Sequence, residues 1–586
     1  MLVLPFLLRA IEALPLKQEC PYTLPNNGVT DIIIREVKIG QLNFLHTTDT
    51  HGWMGSHLNQ PDYDANWGDY ASFIERFQQN RIGDSDLLIV DTGDKRNGNG
   101  LSDAYKPLGL YTSKVFNEVD FDLLTLGNHE LYDESVTLME YYETALNIKF
   151  LEKYVSSNVE FLKEDGSLVP FGKKYRYFET PNQKLRILAF SFMFKFQKAN
   201  RRAKVTPIMD EVVKPWFTDV LQKYPQETVD VIVVFGHIPV SGPESLELQD
   251  LHTYLREVYP DTVIQYLGGH THIRDFVVLD NKATGLQSGR FAETVGFISI
   301  DNVTAETPTF SRRYIDFNIK SFLHHANLDN RVEFGTNKGL VLSKTIDKIR
   351  DILNLTEVYG RVPETYYMDA VPFTSSNNIY NFLSQKVLPT LEKKDPSITR
   401  MILINSGAIR YDLYSGNFTS EIEYVVSPFE NTWLYTEVPL ALAEAARDIM
   451  NQGTNNIAIR SSLVAERERK TCPFVENDTL TLGYTTADDL GCDGDDTPHS
   501  SYGSYPVPNI IDSVQWNADS KDKNQTIHLV FYSFLRNSVL SAMNTANQRL
   551  NITSQKYGDN NIKTYGGLST KQLLRTYIGS ITPKYT

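Results

Sequence analysis

Short polar blocks that could bind metal ions follow apolar runs at five places in the chain. The blocks are HTTDTHG, DTGD, GNHE, GH and GGHTH, and their candidate ligands are Asp49, His51, Asp94, Asn128, His237, His270 and His272. Carboxylate and imidazole side chains together suit Zn, Mn or Fe, and no cysteine lies in these blocks to form a thiolate site. Two such ions that share a carboxylate activate a water and clamp the oxygens of an in-line phosphoryl displacement. The blocks therefore predict a two-metal site suited to phosphate-ester hydrolysis.

The elements that position these blocks are predicted to be buried strands. The apolar runs of this region are LNFL (42–45), DLLIV (86–90), FDLLTL (121–126), LRILAFSF (185–192), VDVIVVF (229–235) and TVIQYL (262–267). Leucine and β-branched residues dominate the runs, and helical spacing appears between them, as in 70–79 and 108–119. This alternation predicts an α/β domain. Ligands bind outside the carboxyl ends of strands in such a sheet, so blocks far apart in sequence are expected to converge.

Each polar block is a weak signal when it is taken alone. A single GH or GNH is more often a turn with a satisfied histidine, and a single D-x-H is more often a solvated loop. The chain has 12 histidines, however, and six of them lie in these blocks, five of them being His51, His129, His237, His270 and His272. Histidines scattered through a core would show no such bias, so the combination favours a metal site.

In this order, the five blocks resemble those of the calcineurin-like metallophosphoesterases. The resemblance implies a four-layer α/β/β/α domain and two divalent metal ions, Zn, Mn or similar. It implies that one ion is bound by Asp49, His51, Asp94 and His272, and the other by Asp94, Asn128, His237 and His270. His129 would then stabilise charge on the phosphate or protonate the leaving oxygen. The family's aspartate that assists this histidine falls on Tyr132, which leaves Asp133 as the candidate helper.

A second block, INSGAIRYDLYSGNFTSEIEYVVSPFENTW (404–433), is similar to the signature of the 5'-nucleotidase/UDP-sugar hydrolase group. By resemblance, Asn405, Gly407, Arg410, Phe429 and Asp495 would bind substrate. Arginine offers a rigid donor fork for phosphate, and a flat aromatic ring suits a nucleobase.

The chain departs from this group at two further points. The second stacking aromatic is replaced by Asp489, for which Phe534 is a possible substitute, and the family's upstream arginines have no match nearer than Arg361. The pattern is closest to the secreted or vacuolar fungal members.

The sequence divides into four predicted segments. A signal-like extension (1–37) precedes a metallophosphoesterase domain (38–318), a linker with a helix at 339–353 (319–360), and a smaller α/β nucleotide-binding domain (361–586). Six N-x-S/T sequons and the apolar start predict the secretory pathway, with the protein in the vacuole lumen or outside the cell. Cys472 and Cys492 are either a disulfide or two thiols, and Cys20 is left over.

Composition limits the partners. The net charge is −15, which argues against a nucleic-acid polymer because phosphate backbones need a basic surface. No stretch is apolar enough to predict a transmembrane helix, and the oligomeric state cannot be read from the sequence.

The expected activity is therefore removal of phosphate from nucleoside 5'-monophosphates. The alternatives are a nucleotide pyrophosphatase acting on UDP-sugars or NAD, a phosphomonoesterase for other substrates, and a non-catalytic binding protein on the same fold. The complete ligand set disfavours the last of these.

Overall fold

The structure, a computed structural model, describes residues 34–452, 494–497, 505–517 and 525–581. Three cysteines (Cys20, Cys472 and Cys492) and Asp489 lie outside the described residues, as does most of the signal-like extension. The strands are β1 (Leu42–Thr47), β2 (Asp86–Asp91), β3 (Leu123–Leu124), β4 (Val159–Leu162), β5 (Leu168–Pro170), β6 (Arg176–Glu179), β7 (Arg186–Met193), β8 (Ala203–Val205), β9 (Val231–His237), β10 (Val263–Gly268), β11 (Arg274–Asp280), β12 (Ala283–Ser288), β13 (Thr294–Asp301), β14 (Thr309–Asp316), β15 (Val358–Val362), β16 (Arg400–Asn405), β17 (Gly416–Thr419), β18 (Trp433–Pro439), β19 (Ile510–Gln515), β20 (Thr526–Tyr532) and β21 (Lys563–Thr564).

Helices lie between these strands. Their bounds are Trp67–Phe77, Gly100–Asp103, Leu110–Phe116, Glu134–Met139, Ile208–Val212, Pro215–Lys223, Leu246–Val258, Ile319–His325, Arg331–Phe334, Asn337–Ile352, Ile379–Phe382, Ser420–Val426, Leu440–Asn451, Arg536–Leu550 and Thr570–Ile581. The described residues contain no helix that is both apolar enough and long enough to cross a bilayer.

Two sheets form the N-terminal domain. The first has the order β14-β13-β1-β2-β3, in which β1, β2 and β3 are parallel. The second has the order β11-β12-β10-β9-β7-β6, in which β7, β9, β10 and β12 are parallel. The predicted runs become these parallel strands because apolar β-branched side chains can be buried on both faces of a sheet.

The two sheets pack face to face through an apolar core that both supply. Phe44 and Leu88 from the first sheet lie in one cluster with Val233 and Phe235 from the second. The outer face of each sheet is covered by helices, and each of these outer layers has its own apolar cluster. This is the four-layer α/β/β/α arrangement that the resemblance implied, and the prediction of the fold class is confirmed.

A smaller domain follows, built on the mixed sheet β19-β16-β20-β18-β21. Its core is a separate apolar cluster that includes Ile402, Val530 and Leu442. The apolar run TRMILIN (399–405) contains β16, and the segment 441–451 lies in helix Leu440–Asn451.

The linker helix packs along the N-terminal domain and contacts the smaller domain at its C-terminal end. Helix Asn337–Ile352 buries Leu342 and Ile346 in the N-terminal core cluster, against helix Trp67–Phe77. At its far end Arg350 forms an ion pair with buried Glu421 of the smaller domain, at 2.7 Å. This helix therefore ties the two domains together.

Candidate metal centre

The predicted ligands lie at the carboxyl ends of strands from both sheets. Asp49 and His51 follow β1, Asp94 follows β2, Asn128 follows β3, His237 ends β9, and His270 and His272 follow β10. Because the two sheets share one core, their strand ends meet at one edge, and one ligand atom each from Asp49, His51, Asp94 and His272 lies within 4.8 Å of the others.

Most of these ligand residues have a left-handed backbone conformation, which residues other than glycine rarely adopt. Their φ angles are positive at Asp49 (49°), His51 (47°), Asp94 (58°), His270 (82°) and His272 (65°). Such residues cost on the order of 1–3 kcal/mol each and cluster at functional sites. The surrounding backbone enforces the strain.

The glycine before Asp94 shows how tightly the loops pack. Gly93 has φ of 92°, and a Cβ added there would meet the backbone N of Gly127 at 2.1 Å. Its carbonyl accepts a hydrogen bond from Asp49 N at 2.9 Å, while the carbonyl of Asp94 accepts one from His51 N at 2.9 Å. These bonds hold the loops after β1 and β2 together.

The distances between ligand atoms are those expected around shared cations. Nε2 of His237 lies 3.1 Å from Oδ2 of Asp94, and Nε2 of His272 lies 3.3 Å from Oδ1 of Asp49. Nε2 of His51 lies 3.0 Å from Nε2 of His272. Two imidazole nitrogens this close repel each other when both carry a lone pair that faces the other ring. A cation bound by both lone pairs removes that repulsion.

The residues present fit divalent metal ions. Asp49 Oδ1, Asn128 Oδ1 and His237 Nε2 are buried and make no hydrogen bond to any residue that the structure describes. Unsatisfied buried polar atoms are rare and need an explanation such as an ion. Burial lowers the pKa of His237, but the carboxylates of Asp94 and Asp49 outweigh it and raise that pKa to about 10. The site therefore attracts positive charge.

Neighbouring groups fix the orientation of the ligands. Nδ1 of His51 donates to the carbonyl of Arg96 at 2.7 Å, and Nδ1 of His237 donates to the carbonyl of Thr92 at 3.0 Å. Each bond sets the tautomer in which Nε2 carries the lone pair that a metal needs. Asn128 Nδ2 donates to the hydroxyl of Tyr132 at 3.2 Å, which directs Oδ1 of Asn128 the other way.

Glu130 of the GNHE block supports the central aspartate. Its buried carboxylate accepts the backbone N–H groups of Asp94, Lys95 and Gly127 at 2.7–2.9 Å. Burial raises the pKa of Glu130, but Lys95 and Arg96 outweigh it and lower that pKa. The carboxylate thus stays charged beneath the metal centre.

His129 lies beside the ligands with a different partner from the predicted one. Its Nδ1 donates to Oδ1 of Asn97 at 3.0 Å, and its Nε2 lies 3.9 Å from Oδ2 of Asp94. Asp133, the predicted helper of His129, is placed at the start of a helix, and Asn97 takes the position beside Nδ1 of His129. The Asp133 carboxylate caps helix Glu134–Met139 by accepting from Ser135 N and Val136 N.

The smaller domain brings Arg410 to the metal centre. Arg410 and Gly407 line an interdomain cleft together with His272. Nε and Nη2 of Arg410 are buried and have no hydrogen-bond partner within the described part of the chain. The guanidinium lies 5.9 Å above the ring of half-buried Phe429. Asn405 ends β16, two residues before Gly407.

Arg290 lines the same cleft and comes from the N-terminal domain. It lies between β12 and β13, in a loop whose Phe291 N donates to the carbonyl of Asp49 at 2.8 Å. Its guanidinium stands 4.6 Å from the Phe291 ring and 5.7 Å from the ring of Tyr411. Sequence reasoning missed Arg290, because it sought the second arginine upstream of Arg410, where Arg361 is an exposed residue of strand β15 and does not line this cleft.

Asp495 is not brought to the cleft, which corrects its assignment as a substrate ligand. Its buried carboxylate pairs with Arg274 at 2.8 Å, and its backbone forms a bridge with Tyr314 of β14. Phe534 is exposed, and Lys198 of the N-terminal domain lies 5.2 Å above its ring.

Comparison with known proteins agrees with this architecture. Residues 42–274 match the family described as calcineurin-like phosphoesterase, and residues 365–540 match the family described as NAD nucleotidase, C-terminal domain. The fold and the metal centre thus define a metal-dependent phosphoesterase.

Relatives of similar length make the assignment more specific. The crystal structure of 5'-nucleotidase from Candida albicans is 40% identical, with a TM-score of 0.84 over 93% of this chain and 99% of that chain. An uncharacterized protein of Saccharomyces cerevisiae is 47% identical over 97% of each chain. A secreted protein of Arthroderma benhamiae is 35% identical over 92% of this chain and 90% of its own. The chain belongs to the 5'-nucleotidase family of calcineurin-like phosphoesterases.

Proposed function

We propose that the chain hydrolyses the phosphomonoester of nucleoside 5'-monophosphates and releases nucleoside and inorganic phosphate. The observation that carries this proposal is the environment of Arg410. Arg410 is half-buried, and its Nε and Nη2 atoms are buried without a hydrogen-bond partner among the described residues; beside a cluster of carboxylates and imidazoles, these two nitrogens need an anionic ligand. A phosphate that bridges Arg410 and the metal ions satisfies both.

The chain's own residues divide the work around the phosphate. Two divalent ions, Zn or Mn, held by the seven ligands would activate a water and stabilise the phosphate oxygens. His129 presents Nε2 beside Asp94, where it can stabilise charge or protonate the leaving oxygen. Arg410 and Arg290 would orient the phosphate from opposite domains, because both line the cleft.

The nucleoside is proposed to extend from the metal centre over Phe429. Arg410 lies over that ring, so a phosphate at Arg410 places the remainder of the ligand near it. Phe534 is exposed, with Lys198 Nζ 5.2 Å from the centre of its ring, so the ring is accessible to a base. Stacking on one or two phenylalanine rings does not distinguish strongly between bases, because every base has a flat aromatic face. We therefore expect the enzyme to accept several bases.

The test is a substrate panel with metal-reconstituted protein. AMP, GMP, UMP and NMN should be hydrolysed faster than sugar phosphates that have no base. Arg410→Ala should raise KM and lower kcat for every substrate, whereas the control Arg361→Ala should change neither. Turnover of simple sugar phosphates as fast as AMP, or wild-type kinetics in Arg410→Ala, would contradict the proposal.

A second candidate is hydrolysis of nucleotide pyrophosphates such as UDP-sugars or NAD. It is favoured by the presence of two arginines in the cleft, since a diphosphate has two groups to hold. In that case Arg290→Ala should reduce UDP-glucose turnover far more than AMP turnover. An equal loss on both would assign Arg290 to the single phosphate of the monoester.

We also propose that the protein enters the secretory pathway and resides in the vacuole lumen or outside the cell. A relative is named a secreted protein, and four sequon asparagines among the described residues are exposed, namely Asn302, Asn354, Asn417 and Asn551. Exposed sequons are accessible to the glycosylation machinery. Peptide-N-glycosidase treatment of the protein from its native cells should increase gel mobility, and an unchanged mobility would contradict the proposal.

A further inference from the structure

A second group of histidine and carboxylate side chains lies outside the metal centre, where Glu36 meets two histidines at the end of helix Ile319–His325. One possible ligand atom from each of Glu36, His324 and His325 lies within 4.8 Å of the other two. Oε1 of Glu36 is 2.9 Å from Nε2 of His324. This separation is similar to those between ligand atoms in the centre described above.

His325 is the residue that points to a ligand. Its side chain is fully buried, and its Nε2 lies 3.0 Å from Oδ2 of buried Asp496. A carboxylate partner fixes the proton on Nε2 and leaves the lone pair on Nδ1. That Nδ1 atom is buried and has no hydrogen-bond partner among the residues that the structure describes.

Glu36 is held so that one oxygen remains available. Nη2 of Arg81 binds its Oε2 at 3.0 Å, which leaves Oε1 beside His324. The carboxylate is therefore oriented with one oxygen toward His324.

An ordinary histidine ion pair elsewhere in the same domain looks different. Nε2 of His252 lies 3.1 Å from Oδ2 of Asp280, and its Nδ1 bonds the hydroxyl of Tyr266 at 3.1 Å. Both ring nitrogens are satisfied there without an ion. At His325 one nitrogen is satisfied and the other is left buried, which an ion pair alone does not explain.

We propose that Glu36, His324 and His325 bind a third divalent cation of the borderline class, such as Zn²⁺. Two imidazoles and one carboxylate are a ligand set that suits this class, with water completing a tetrahedral site. Asp496 acts as the outer carboxylate that orients His325, in the way that backbone carbonyls orient the histidines of the catalytic centre.

The position of the site indicates a structural role. Asp496 belongs to the segment 494–497, whose carbonyl at Asp496 accepts a hydrogen bond from Arg35 N at 2.7 Å. Asp496 Oδ1 also accepts from Asp316 N, 3.2 Å away at the end of β14. A cation at His325 would therefore hold Arg35, the end of β14 and the segment 494–497 in fixed positions relative to one another.

The test is the number of zinc ions bound per chain. The full-length protein is stripped with a chelator, reconstituted with excess Zn²⁺, desalted and analysed for zinc and protein. Glu36→Gln and His324→Gln should each bind one ion fewer than the wild type and keep its phosphatase activity. Both side chains are partly exposed, at 50% and 31%, so the substitutions are compatible with folding.

The control is His252→Gln, which removes a histidine from an ion pair of similar length without a third ligand. It should bind as much zinc as the wild type. The proposal is overturned if Glu36→Gln and His324→Gln both keep the wild-type zinc content, or if His252→Gln loses an ion as well. A higher melting temperature with Zn²⁺, seen in the wild type and smaller in His324→Gln, would support the structural role.

Discussion

The hydrogen bond between Asn97 and His129 gives the sharpest test of the catalytic arrangement. Asn97→Ala removes the acceptor that keeps the proton of His129 on Nδ1 and directs Nε2 toward Asp94, 3.9 Å away. Among the described residues, the Asn97 side chain bonds His129, which is not a predicted metal ligand, and the Asn97 backbone N donates to Oδ1 of Asp103. Metal binding should therefore persist. We therefore expect a loss in kcat with little change in KM.

The size of the loss follows from one hydrogen bond and the freedom it suppresses. A neutral hydrogen bond contributes about 0.5–1.5 kcal/mol, and about 1.4 kcal/mol corresponds to a tenfold change in rate. Removing the bond should therefore lower kcat about two- to twelvefold. Removing His129 itself sets the ceiling, since a general acid contributes about 10²- to 10⁴-fold.

The assay is kcat and KM on AMP with zinc content measured in parallel. Asn97→Asp keeps an oxygen acceptor for Nδ1 and should recover most of the rate. Asn99→Ala is the matched control, because Asn99 lies in the same loop but caps helix Gly100–Asp103 through Leu101 N at 3.0 Å. It should cost about 1 kcal/mol of stability and leave kcat intact. Wild-type kcat in Asn97→Ala, beside a large loss in His129→Ala, would refute the reasoning.

Three further substitutions test the supports of the site. Tyr132→Phe removes the hydroxyl that holds Asn128 Nδ2, so metal affinity should fall about 10- to 100-fold in a zinc titration; unchanged affinity would contradict this role. Asp94→Asn should lower metal content and kcat together, and a fully active variant would exclude Asp94 as the shared ligand. Glu421→Gln leaves the charge of Arg350 unpaired and should cost about 3–5 kcal/mol in urea unfolding, whereas a loss below about 1 kcal/mol would show that this pair contributes little.

The sequence was most informative where burial dictates composition. The run at 229–235 became β9 (Val231–His237), and the periodic segment at 339–353 became helix Asn337–Ile352. The run at 121–126 was overestimated, since β3 covers only Leu123–Leu124. At this point the side-chain carboxylate of Asp122, and not a backbone carbonyl, accepts the hydrogen bond from Ile89 N of β2. Hydrophobic periodicity does not reveal such a side-chain hydrogen bond.

The residues that sequence reasoning missed lie in loops with unusual backbone angles. Asn97 has φ of 69°, and Phe291, next to Arg290, has φ of 55°. Such loops have no periodicity, and their side chains meet the site only through tertiary contacts. A polar residue close behind a ligand block, as Asn97 is behind Asp94, was the available signal for the first. Arg290 had no comparable signal.

The departures from the family pattern are connected in the folded chain. Where the family places an aspartate beside the histidine, Tyr132 instead holds Asn128, and Asn97 holds His129. Arg290 reaches the cleft from the N-terminal domain, which supplies a cation where the upstream arginines have no match. The ligand set and its supports are thus retained while the groups around the substrate differ. Hydrolysis should therefore follow the family, and the choice of substrate should depend on Arg290 and the exposed ring of Phe534.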